Sequence, residues 1–121
     1  MTTGSDYSVT ARAGAMRTPP NAHDTEGVTT SIASLDLAVF GDDEVDLRGK
    51  WVFFTARGAA VTLRRFVTGA TAPTITAGVG FTIADGKTEE LWVPSADSGA
   101  GTSLRVIGDG SGNLDADYSD D

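Results

Sequence analysis

The chain has no cysteine, and that absence removes disulfide scaffolds, thiol nucleophiles and cysteine-ligated zinc together. Histidine is almost as scarce. His23 stands alone among 121 residues, so one chain cannot build a metal site from several imidazoles. Aromatic residues make up only 7% of the sequence, too few for a long stacking platform. The longest run of large apolar residues, Trp51-Val52-Phe53-Phe54, is far short of the roughly 20 residues of a membrane-spanning helix. No basic-then-apolar leader follows Met1, so a secretory signal is not expected.

Basic charge is also in short supply. Nine Lys and Arg face 17 Asp and Glu, for a net charge of −8. Residues 1–50 carry 4 basic and 8 acidic side chains, residues 51–108 carry 5 and 4, and residues 109–121 carry none and 5. Nucleic-acid binding needs a basic footprint to neutralise phosphates. Arg64-Arg65 does not supply one, because adjacent strand residues point to opposite faces. No nucleic acid and no membrane is expected as a partner.

What remains is a light, turn-rich composition with 15 Gly, many Thr and Ala, and no sustained 3.6-residue apolar period. Short strands separated by turn signals predict an all-β chain: one β-sandwich or jelly-roll-like domain of seven to eight strands over 29–118. An extended N-terminal arm (1–28) precedes it and a short acidic tail (119–121) follows. Strands are expected over 32–40, 50–56, 60–67, around 74–77, over 102–107 and 114–118. The stretch GVGFTIADGKTEELWVP predicts a hairpin, since Asp85-Gly86 lies between two β-type runs. An odd-length loop there sets Val79, Phe81 and Ile83 on the face of Leu91 and Val93 and turns Trp92 outward, as a candidate partner contact. The expected core is Trp51, Phe53, Val61, Leu63, Phe81, Ile83, Leu91, Leu104, Val106 and Leu114.

Catalytic chemistry is poorly represented. His23 lies near Pro19-Pro20, away from any predicted core, and reads as a solvated or interface residue. Glu89-Glu90 cannot flank one bond from a strand, where neighbours face opposite ways. The run DGSGNLDAD (109–117) places acids and amides at alternate positions, yet Leu114 and Asp120 stand where a helix-flanked calcium loop wants Gly and Glu. It reads as a hairpin turn entering an acid-faced strand. GDDEVD (41–46) reads as a solvated loop. No enzyme, cofactor or metal site is expected.

The segments LRGKWVFFTARGAAVTLRRF, ITAGVGFTIADGKTEELWVP and SLRVIGDGSGNLDADY, spanning roughly residues 47–118, resemble small β-structured virion proteins of tailed bacteriophages. Many of these are head decoration (cement) proteins. The resemblance implies a trimeric or otherwise clustered β-domain that sits on the capsid surface, binds the major capsid protein and stiffens the shell without catalysis. Other implied roles are a head-fibre, neck or tail protein. A carbohydrate-binding β-module is a further alternative, distinguished by exposed aromatics in line.

The arm follows from the residues themselves. Pro19 and Pro20 block ladder pairing and helix alike, and residues 1–28 show no coherent period. Such a segment is expected to run extended over a neighbouring subunit, with Tyr7, Val9, Met16 and Val28 as separated anchors and backbone pairing to a free sheet edge supplying the rest. Tyr7, Val9, Met16, Pro19, Pro20 and Trp92 are therefore the candidate interface residues.

Overall fold

The computed structural model describes residues 19–95 and 101–120. Eight strands form two four-stranded antiparallel sheets facing each other: β1 (Ala22–Val28), β2 (Ala33–Asp36), β3 (Lys50–Arg57), β4 (Val61–Val67), β5 (Thr82–Ile83), β6 (Thr88–Val93), β7 (Thr102–Gly108) and β8 (Gly112–Tyr118). One sheet runs β1-β8-β3-β6 and the other β2-β7-β4-β5. The all-β sandwich expected from the sequence is the fold. Strands pair in a nested way, first with eighth, second with seventh, third with sixth and fourth with fifth, as if one long two-stranded ribbon were rolled up. The core lies between the sheets and centres on Phe40, Leu47, Val52, Phe54, Val61, Ile83, Val106 and Leu114, all at most 1% exposed.

Several expectations are corrected. The segment 22–28, assigned to the arm, is an edge strand paired along its length with β8 of the same chain. Its inward face escapes a hydrophobic pattern because Asp24 and Glu26 occupy it. The buried Asp24 and half-buried Glu26 carboxylates need donors, and the 41–43 loop provides them: Gly41 N donates to Glu26 Oε2 at 2.8 Å and Asp43 N to Asp24 Oδ2 at 3.0 Å. Gly41 itself has φ +79°, and a Cβ there would overlap the Asp24 carboxyl group. Gly41→Ala is therefore expected to cost about 2–4 kcal/mol, measured by urea unfolding, whereas Gly69→Ala, with φ +90° but open space around it, is expected to cost about 1 kcal/mol.

The expected hairpin at Asp85-Gly86 is not one. β5 pairs with β4 and β6 pairs with β3, so the turn carries the chain from one sheet to the other. Lys87 N donates to Ala84 O at 2.9 Å, Gly86 has φ +80°, and Asp85 is not among the positive-φ residues. A left-handed residue at the third position alone is the type II pattern, whose twist does not match a two-stranded ribbon. The 109–111 turn likewise crosses between sheets, from β7 to β8, and is not a hairpin.

The strand over 32–40 is cut to 33–36. The Asp36 carboxylate accepts the Ala38 N–H at 2.9 Å and Val39 N donates to Asp36 O at 3.0 Å, which folds the chain into a turn. Leu35 and Leu37 stay buried, but Val39 is exposed. Residues 74–77 make no strand, only an isolated bridge from Thr76 to Val79. On β3 the faces are exchanged. Val52, Phe54 and Ala56 point into the core, Trp51 is exposed and Phe53 is half-buried. Of the remaining expected core, Val61, Leu63, Ile83, Leu104, Val106 and Leu114 are buried, Leu91 is half-buried and Phe81 is exposed.

Candidate functional site

The outer face of the β1-β8-β3-β6 sheet carries the most chemistry. Register fixes its rows: Trp51 stands opposite Trp92, Phe53 lies between Asp117 and Glu90, and Thr55 lies between Asp115 and Thr88. β1 extends the second and third rows with His23 beside Asp117 and Thr25 beside Asp115. His23 Nδ1 lies 2.9 Å from Asp117 Oδ1, and the Thr55 and Thr88 hydroxyls are 2.6 Å apart. Pro20, half-buried, lines a shallow hollow of this face together with Phe53, Thr55, Thr88 and Asp117.

Asp115 anchors the face. Thr25 Oγ1 donates to it at 2.7 Å, and Arg57 donates through Nε at 2.7 Å and Nη2 at 3.0 Å. The Arg57 hydrogen bonds hold the Asp115 carboxyl below its ordinary range, against the upward push of its burial, and the Thr25 hydroxyl acts in the same downward direction. A folded-state pKa lower than the unfolded one contributes stability that is complete above the unfolded value, about 3.9, and is lost as pH falls through the folded one. Stability is therefore expected to be flat in this respect near neutrality and to decline below about pH 4. In Asp115→Asn that part of the acid limb flattens, as urea midpoints measured between pH 2 and 7 check.

Trp51 and Trp92 are the outstanding feature of the surface. They are 41% and 48% exposed, with ring centroids 5.5 Å apart and planes tilted by 57°. Trp92 is outward as the sequence suggested, though the register comes from pairing with β3 and not from a hairpin. Trp51 was missed as a surface residue because four apolar residues in a row hide which alternate pair faces in. Among the candidate interface residues, Pro19 is exposed, Pro20 is half-buried and borders the hollow at Phe53, and Tyr7, Val9 and Met16 fall outside the described residues.

A second feature lies around the corner. β5 is two residues long, so the sandwich is thinly closed on the β5/β6 side. A cleft of about 310 Å³ opens there between the sheets, walled by Phe54, Leu63, Phe81, Leu91 and Leu104, with Arg65 among its lining residues. Among the described residues, no group of three or more His, Asp or Glu side chains is placed to hold a metal ion. No family model, curated protein or solved structure matches the chain.

Proposed function

We propose that this chain is a structural docking module that attaches to the outside of a bacteriophage capsid and stabilises the shell, acting by surface burial and not by catalysis. The observation that carries the reading is the exposed Trp51–Trp92 pair on the outer face of the β1-β8-β3-β6 sheet. Contiguous exposed aromatics of this kind mark contact surfaces, and Trp is enriched among residues that dominate binding energy. The nested strand pairing resembles that of an eight-stranded jelly roll, an architecture shared by viral capsid proteins and lectins. That support is fold-level analogy. The resemblance of residues 47–118 to decoration proteins points the same way. The partner would be the major capsid protein, with further copies of the chain clustered as a trimer and Tyr7, Val9 and Met16 reaching a neighbour.

The same tryptophans favour a second reading, a carbohydrate-binding module. Against it, a sugar ring stacks on a flat aromatic face, and planes inclined by 57° offer no common platform. The test is co-sedimentation with capsids assembled without this chain. Wild-type protein is expected to pellet with the shells and raise their rupture temperature, while Trp51→Ser/Trp92→Ser is expected to bind at least about tenfold more weakly. Protein that stays in the supernatant with shells but binds immobilised oligosaccharides would replace the first reading with the second.

A further inference from the structure

We propose that the cleft on the β5/β6 side binds a medium-chain fatty carboxylate, with the alkyl chain between the sheets and the carboxylate on Arg65. This does not rest on the docking reading and would stand if that failed. Three observations carry it.

The first is volume. A cleft of about 310 Å³ is at the lower bound of small-molecule sites. It accommodates roughly ten methylene-sized groups, taking about 30 Å³ each, the liquid volume of a water. The second is the wall. Leu63 and Leu104 from one sheet face Phe54 and Leu91 from the other, with Phe81 at the rim, 47% exposed. The third is the cation. On β4 the inward positions run Val61, Leu63, Arg65, so Arg65 sits on the core-facing side where its neighbours are apolar. Its guanidinium makes no hydrogen bond or ion pair among the described residues.

An apolar slot with the exposed Arg65 guanidinium among its lining groups selects an apolar body ending in an anion. A net charge of −8 repels anions in general, so preference for a carboxylate over the matching alcohol would have to come from this one residue.

The test uses the full chain and sodium hexanoate, octanoate and decanoate below their micelle concentrations, with decan-1-ol as the neutral control. Trp92 lines the cleft and its emission reads occupancy. Trp51→Phe removes the neighbouring signal. Saturable binding is expected, tightening about three- to fourfold per added methylene. Arg65→Gln, an exposed position, is expected to weaken decanoate roughly five- to tenfold and leave decanol unchanged, with the unfolding midpoint of the free protein unmoved. Absence of saturable binding would overturn the proposal. So would affinity independent of chain length, or an Arg65→Gln variant that binds decanoate as wild type does.

Discussion

Phe54→Ala is expected to lower the unfolding free energy by about 3–5 kcal/mol, while Phe53→Ala, one residue away, is expected to cost less than about 1.5 kcal/mol. The residues are chemically identical and adjacent, so the contrast isolates facing. Phe54 is 1% exposed and meets Phe40 edge to face, with ring centroids 6.0 Å apart and planes at 69°. Truncation forfeits its transfer from water and leaves a void beside Phe40 that a close-packed core cannot collapse into. Phe53 lies half-buried on the outer face between Asp117 and Glu90. Its removal exposes surface without opening the core. For a domain of this size the Phe54 loss corresponds to a drop in Tm of about 4–8 °C per kcal/mol. Calorimetry of the two variants checks it, and equal losses would mean that the faces of β3 are wrongly described.

Deletion of residues 2–27 is expected to abolish cooperative unfolding or to lower its midpoint by more than about 15 °C. The sequence alone suggested an arm that runs over a neighbouring subunit and lies outside the β-domain of 29–118. β1 contributes the outer ladder to β8 and thereby covers the strand that carries Leu114, Ala116 and Tyr118. Without it, the Gly41 and Asp43 N–H groups also lose their Glu26 and Asp24 acceptors, at about 1 kcal/mol or more each. A domain holds only roughly 5–15 kcal/mol in all. Deletion of residues 2–18 keeps β1 and both carboxylate acceptors and is expected to melt well above the longer deletion. Circular-dichroism melts of the two deletions decide between arm and strand for residues 22–28.

The fold class was legible because Val61, Leu63, Leu104, Val106 and Leu114 alternate with polar neighbours, and alternation is a local property. Three things were not legible, each for a reason beyond local pattern. β1 was hidden because two of its four inward positions are Asp24, buried, and Glu26, half-buried, which accept from a loop 15 or more residues away, leaving Val28 as its one fully buried apolar side chain. The Asp85-Gly86 turn was misread because the dipeptide fits both a type I′ hairpin and a type II turn, and only tertiary pairing chooses. The inward parity of β3 was ambiguous because Trp51 to Phe54 are all apolar, so burial of either alternate pair satisfied the pattern. Half of the candidate interface set, Tyr7, Val9 and Met16, falls outside the described residues, while Trp92 was reached by its outward parity. Its partner Trp51 and the cation Arg65 needed the register of neighbouring strands before they stood out.

The central proposal is that the Trp51–Trp92 face is where this protein meets a larger assembly. Hydroxyl-radical footprinting of those two indoles, in the free chain and in the chain bound to capsids, tests it most directly. Both rings are open to solvent in the free chain and are expected to lose most of their reactivity on binding, while an exposed residue elsewhere such as Val39 keeps its own. Bound protein in which Trp51 and Trp92 react as fast as in the free chain would contradict the proposal and place the contact on another surface.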